Sequence, residues 1–429
     1  MSSAIPLAPV SSTAKTANFS ASAGHTTCAP PAALPKKLSR ATAFMHCSAL
    51  EANAQLTQAL APNAQLLAVI KANAYGHGML RSADILFHYA YGFAVANMYE
   101  AVELRQHLQK RFALQGQHKP VVVMSAIIDS EALAVCREYQ LTPVIHSIPN
   151  SKREQAAISD FVSEHNSWLK IDTGMHRLGI EADSIPNDLA ALPFSTIMTH
   201  YSQAQQLSGK QNQQQVILFN QALRAINGRS QHQTSAITQS ISIANSAALL
   251  RHCDARKYKQ WYSDQFDNYD QRQETIRPGI MLYGVDPLTE QNNTSAQLQP
   301  VMTLAAPVIS TRSISAGETV GYNGTWYAQR DSVIATIAIG YGDGYPRHAP
   351  NGTAVVLHGQ RATLAGTVSM DSICIDITDL NNQGIEVQPG DLAQLWGKQL
   401  AVNEIAASAH TIGYELLTGI ADRVNKIYL

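Results

Sequence analysis

The 429-residue sequence predicts a (β/α)8 barrel followed by a mainly antiparallel β domain. Two observations carry this. Between residues 66 and about 280, eight short apolar runs alternate with stretches long enough for a helix, as buried parallel strands and their crossovers do. After the polar stretch QNNTSAQLQP (291–300) the texture changes to short alternating runs separated by glycine and asparagine turns. Periodicity alone leaves a doubly wound open sheet possible; the count of eight favours the closed barrel. Composition agrees with a globular enzyme, at 45% hydrophobic and 15% charged residues. A formal net charge of −1 leaves no electrostatic footprint for nucleic acid or an anionic membrane.

The chain divides into three parts. Residues 1–38 are rich in Ser, Thr, Ala and Pro, with Glu51 the first acidic residue of the chain and Arg40 the first arginine. They lack the apolar core of a secretory signal and read as a disordered extension on a cytoplasmic protein. The barrel is expected over 39–298, its strands at 66–71, 91–96, 120–125, 141–146, 167–172, 195–200, 240–245 and near Ile276 and Arg277. The segments 227–240 and 255–275 are polar and read as surface insertions. The β domain is expected over 299–429, from runs such as VMTLAAPVIS, SVIATIAIG and SICIDITDL, with no helical period until about residue 402. The five cysteines are scattered without a C-x-x-C pair, which argues against a disulfide framework or a metal site and fits a reducing compartment. No apolar stretch is long enough to span a bilayer.

Functional side chains of such barrels sit at the C-terminal strand ends. The first strand ends on Lys71, in LLAVIKANAYGHG (66–78). An ammonium there loses solvation and moves toward the neutral amine, which can form a Schiff base with an aldehyde. The fifth run carries Lys170 and leads to Arg177; the sixth ends on His200; the seventh gives Asn245 and Ser246; the eighth gives Arg277, Gly279 and Ile280. Taken singly, each is an ordinary core or paired residue. Jointly they supply an amine, backbone donors for a phosphate beside Ser246 and Gly279–Ile280, and an arginine for a ring nitrogen. That combination suits pyridoxal 5′-phosphate.

The segments AVIKANAYGHG, TGMHRLG, THYSQA, ANSAA, RPGIMLYG, GYGDGYPR and VSMD, in this order, resemble the alanine racemase family from about Ser39 to Leu429. The resemblance implies a homodimer whose active sites are each completed by the partner's β domain, and a reaction that interconverts L- and D-alanine and supplies D-alanine for peptidoglycan. It implies that Lys71 binds the cofactor and acts as one proton-transfer base, with Tyr341 of the other subunit as the second. It further implies Tyr75, Ser246, Gly279, Ile280 and Tyr414 at the phosphate, Asn245 and His200 at the cofactor, and Arg277 facing the pyridine nitrogen. Arg177, Met370 and Asp371 would lie near the substrate carboxylate, and Lys170 matches a position carbamylated in some members.

A relay from Tyr341 through His200 to Arg277 would make the tyrosine a usable base. An arginine, which does not give up its proton, would keep the pyridine nitrogen unprotonated and the side reactions of a strong electron sink suppressed.

The chain also departs from the family. The Arg177–His200 interval is short, the Ser246–Arg277 interval long, Thr367 stands where arginine is common, and Ser369 where some members carry cysteine. Alternatives are a serine or broad-specificity racemase of the same fold, a non-catalytic single-domain barrel binding the same cofactor, and a decarboxylase of related fold. The β domain with Tyr341 and Asp371 argues against the second, and VSMD lacks the cysteine that the third typically carries in that loop.

Overall fold

All eight apolar runs form parallel strands, just long enough to deliver their last residues to one rim. The computed structural model describes residues 40–206, 210–228, 240–252, 254–266 and 268–429. The first strand, β1 (Thr42–Met45), stands outside the barrel and joins the second sheet below. The barrel strands are β2 (Gln65–Val69), β3 (Gly92–Val95), β4 (Val121–Val123), β5 (Thr142–Ile145) and β6 (Trp168–Asp172). A two-residue β7 (Ile180–Glu181) flanks β6, and β8 (Thr196–Met198), β9 (Ser240–Ser242) and β10 (Thr275–Ile276) complete the set. Their order is β10-β2-β3-β4-β5-β6-β8-β9, and the bridges Ile241↔Glu274 and Asn245↔Arg277 close the ring. Runs such as Leu67, Ala68 and Val69 are buried, as strands covered on both faces require.

Helices begin where short polar side chains can satisfy free N–H groups. Asn97, Asp129, Asn245 and Asp254 each cap a helix by accepting the N–H three residues on. The short Arg177–His200 interval holds one helical turn, Asn187–Ala190.

The segment 255–275 is a correction. It is not a surface insertion: Ala255–Gln265 is a helix whose Tyr258 and Tyr262 are fully buried, and Glu274 is buried beside them. The apolar positions recur every four residues under a polar surface, so the average polarity of the segment hides a packing stripe. Most of 227–240 lies outside the described residues, as do residues 1–38.

The second sheet is built from β11 (Met302–Ile314), β14 (Ser332–Ile337), β15 (Ala354–Leu357), β16 (Gln360–Leu364), β17 (Ile373–Asp376), β18 (Leu392–Trp396) and β19 (Asn425–Tyr428), with β1. A small hairpin of β12 (Thr319–Val320) and β13 (Trp326–Tyr327) stands apart. Six strands close on themselves because β11 pairs with β18 through its first half and β14 through its second. A register shift between Val308 and Ser310 bends β11 to allow this. β1 pairs antiparallel with β11 and parallel with β19. The stretch 42–45, expected in the barrel unit, therefore belongs to this sheet; three non-local strands pair there, and no local pattern records that. Among the described residues no helix is long and apolar enough to cross a membrane.

Asn53, buried on the helix Cys47–Leu60, ties the barrel to the connection leading into β11. Its amide donates to Leu282 O (3.0 Å) and Gln299 O (2.8 Å), and its Oδ1 accepts from Gln299 N (2.9 Å). Asn53→Ala should therefore lower the unfolding free energy by about 2 kcal/mol, because one buried and two part-buried backbone groups lose their partner. Chemical denaturation measures this, and a change under about 0.5 kcal/mol would contradict it.

Candidate active site

Lys71 follows β2 and opens a turn with unusual backbone. Ala72, Asn73, Ala74 and Tyr75 have φ of 51°, 52°, 55° and 52°, four successive left-handed residues without a glycine among them. Each such residue costs roughly 1–2 kcal/mol relative to the right-handed form, so neighbouring groups must hold the turn. They do so from several sides. His77, buried, donates from Nδ1 to Tyr75 O (2.9 Å) and Ala74 O (3.1 Å). Asn73 Oδ1 accepts from Met79 N (2.8 Å), and Tyr428 of β19 donates to His77 O (3.0 Å). Glu100 accepts the N–H of Ala72 (2.6 Å). Burial holds the Lys71 amine below its usual range, Arg177 pushes it further down, and Glu100 opposes them.

The cations gather around this amine. Lys170, buried on β6, is lowered to about 8 by burial first and then by Arg277 and Arg177. Arg277, just after β10, is fully buried and donates from Nη1 to Ser242 Oγ (2.5 Å) and from Nη2 to Thr199 O (2.6 Å). Burial lowers it to about 10, so it stays a cation at neutral pH. Its Nη2 lies 3.4 Å from His200 Nδ1. A guanidinium has no lone pair, so it donates to Nδ1 and the ring proton of neutral His200 sits on Nε2; Asn245 Nδ2, 3.5 Å from Nε2 and itself a donor, is then a neighbour rather than a hydrogen-bond partner. Arg177 stands on the exposed loop after β6. There Asp172 Oδ1 accepts the N–H groups of Gly174, Met175 and His176 at 2.9, 3.0 and 3.1 Å.

The loops after β9 and β10 form an anion cradle. Ser246 Oγ accepts from Gly279 N (2.9 Å), and Ile280 opens the next helical turn. A Cβ at Gly279 would lie 2.4 Å from Tyr75 Oη, so only glycine lets that hydroxyl and the backbone N–H share the space. Tyr414 packs its ring 6.1 Å from Tyr75, centroid to centroid, bringing the β domain's last helix against the cradle. These hydroxyls and backbone N–H groups are of the kind that can hold a phosphate ester.

Tyr341, Met370 and Asp371 form a second cluster on loops of the β domain. Tyr341 N donates to Ser369 O (3.0 Å) and Gly342 N to Met370 O (2.9 Å). Buried Asp343 accepts from Gly340 N (2.9 Å) and pairs with Arg423 (2.8 Å), which also holds Asp371 (2.9 Å). Arg40 adds a further contact to Asp371 at 3.3 Å. Tyr341 is 40% exposed and Met370 54%. Among the described residues, none of the hydrogen bonds or ion pairs of this cluster reaches Lys71, His200 or Arg277. Glu100, Asp172, Asp343 and Arg423 were not anticipated from sequence. An aspartate closing a strand before glycine is the one local signal, and it applies only to Asp172.

Two family models cover the chain: "Alanine racemase, N-terminal domain" over residues 45–287 and "Alanine racemase, C-terminal domain" over 301–428. An alanine racemase of Thioalkalivibrio sulfidiphilus is 39% identical over 398 residues, covering 91% of this chain and 99% of that one. The crystal structure of a biosynthetic alanine racemase from Pseudomonas aeruginosa is 32% identical with a TM-score of 0.75, covering 91% and 100% of the two chains. That of an alanine racemase from Bartonella henselae, with covalently bound pyridoxal phosphate, is 26% identical with a TM-score of 0.73, covering 91% and 100%. The chain belongs to the alanine racemase family.

His200 is held well below the usual histidine range, by burial first and then by Arg277 and Lys170. The unfolded chain takes up a proton near 6.5 and the folded chain does not, so this group erodes stability as pH falls below that value. Between pH 7.5 and 5.5, His200→Gln should lose less stability than the unaltered protein, by about 1 kcal/mol in unfolding free energy. Parallel losses would contradict a neutral His200.

Proposed function

We propose that this member of the alanine racemase family interconverts L- and D-alanine with pyridoxal 5′-phosphate held through Lys71. In this reading it works as a cytoplasmic homodimer and supplies D-alanine for peptidoglycan. The observation that carries the reading is a desolvated amine placed in the same barrel mouth as a glycine-lined anion cradle. Tyr75, Ser246, Gly279, Ile280 and Tyr414 would hold the phosphate, and Asn245, His200 and Arg277 would surround the ring. When bound, the cofactor withdraws electrons from the Cα of an attached amino acid and so acidifies its hydrogen.

The chain's own groups then divide the work. Lys71, with its basicity reduced by burial, takes or returns the proton on one face of Cα. The opposite face needs a second base. We assign it to the partner subunit's Tyr341, because Tyr341 is exposed on a loop tied back to Ser369 and, among the described residues, makes no hydrogen bond to a barrel-mouth group of its own chain. Neutral His200, with its proton on Nε2, could donate to the phenol oxygen and stabilise the phenolate, while Arg277 fixes the ring from the other side. Arg277 also presents only donors to the pyridine nitrogen, which keeps that nitrogen an acceptor. Arg177 and the Met370 backbone would orient the substrate carboxylate. Asp371 acts at one remove, since its own carboxylate is already paired with Arg423 and Arg40.

Racemisation assays on the purified protein with each enantiomer of alanine, beside serine and bulkier amino acids, test the reading. Turnover of alanine in both directions is expected, and inertness toward every amino acid would overturn it. Greater efficiency with serine would redirect the substrate and spare the mechanism. Lys71→Ala should abolish the near-visible absorbance of the bound cofactor; a retained band would refute the Lys71 assignment. Tyr341→Phe should keep that band and lose at least about a hundredfold in rate, more from one enantiomer than the other. An equal loss from both enantiomers would count against two bases.

A further inference from the structure

We propose that Glu100 is a positioning residue for Lys71: its single carboxylate spans the ends of two adjacent barrel strands and holds the left-handed turn that aims the amine. The proposal rests on the role given to Lys71 above. One oxygen, Oε1, accepts from Ala72 N (2.6 Å), the residue directly after Lys71. The other, Oε2, accepts from Ala96 N (2.9 Å), the residue directly after β3. Glu100 is itself fixed, because its own N–H is capped by Asn97 Oδ1 (3.0 Å) at the start of the helix Met98–His118. Strand β3, the cap and the carboxylate thus form one rigid unit against which the turn leans.

The need for such a brace is local. Ile70 N donates to Ala94 O (2.9 Å), which finishes the pairing of β2 with β3. The next two residues then leave the sheet, and Ala72 enters the left-handed region, where an alanine gains nothing from its side chain. Without an acceptor, its N–H would be left to water at the very step where the backbone is most strained. Ala74 N, by contrast, finds Ile70 O (2.8 Å), and Gly76 N finds Ala72 O (3.0 Å). Among the described residues, Glu100 supplies the one hydrogen bond to this part of the turn from outside residues 70–78 on the β3 side; His77 and Tyr428 hold its far end.

Charge gives the residue a second effect. Lys71 faces Arg177, Lys170 and His200 across the barrel mouth, and Glu100 is the carboxylate that opposes the lowering of the amine's basicity. Removing the charge while keeping the side chain's shape should leave Lys71 less basic.

The test uses Glu100→Gln and Glu100→Asp in the holoenzyme, with amide hydrogen exchange as a readout independent of activity. Glu100→Gln retains an oxygen for one N–H only and loses the charge. Exchange should quicken in residues 71–78 while the rest of the barrel stays as it was. The near-visible band should persist, kcat should fall by about tenfold or more with KM within about threefold, and the acidic limb of the kcat/KM profile should move to lower pH. Glu100→Asp, which keeps the charge but shortens the reach, should restore the pH profile without restoring the exchange protection. Unchanged exchange in 71–78 would overturn the brace whatever Lys71 does. Quickened exchange with unaltered kcat and pH profile would leave the turn braced but deny that the brace serves the amine, and would overturn the positioning role. If Lys71 itself were misassigned, Lys71→Ala would keep the absorbance band, an outcome that these measurements do not share.

Discussion

An amine taken out of water at the end of a parallel strand is held toward its reactive neutral form, and the rest of the site is arranged around that constraint. Lys71 owes its lowered basicity first to burial and then to Arg177. Lys170 and His200 are drawn into the same field, each pushed down by burial and by its cationic neighbours, while burial alone lowers Arg277. A mouth so rich in positive charge and backbone N–H groups suits an anionic ligand, and the cradle at Gly279 shapes the space for one. The amine and the cradle are placed by opposite ends of the same short turn. Lys71 begins it and Tyr75 closes it, so the turn's backbone fixes the amine relative to the Tyr75 hydroxyl beside Gly279.

That dependence explains why so many contacts converge on residues 71–78. A left-handed run of four non-glycine residues does not persist by propensity. It is held by His77 from within, Glu100 from the barrel, and Tyr428 from the β sheet, while Leu417 O leaves room for nothing larger than glycine at position 76. The two sheets therefore share a single structural task. β19, which carries Tyr428, pairs with β1, so the turn is secured only once two segments far apart in the sequence have come together.

The strands and their chemistry-bearing ends were legible because a parallel barrel writes itself as apolar runs with the functional residue immediately after each. Lys71, His200, Asn245 and Arg277 all stand at such ends. What could not be read were partnerships across long separations. Nothing around Glu100 marks it as the acceptor for a backbone N–H twenty-eight positions away, and it reads as one more charged residue near a helix start. Arg423 and Asp343, eighty positions apart, became visible only as a pair. The helix Ala255–Gln265 misled because its stripe of Tyr258 and Tyr262 is narrow and the rest of its surface strongly polar. β1 was placed in the wrong unit for the same reason: a four-residue strand takes its sheet from partners that lie elsewhere in the chain.

The central claim is that an active site joins Lys71 of one copy to Tyr341 of another. Mixing Lys71→Ala with Tyr341→Phe, each inactive alone, tests it most directly, with differently tagged subunits used to isolate the mixed dimer. After random exchange half the dimers are mixed and each holds one intact site, so activity should recover to about a quarter of the unaltered enzyme's. Isolated mixed dimers as inactive as either parent would contradict a site shared between subunits.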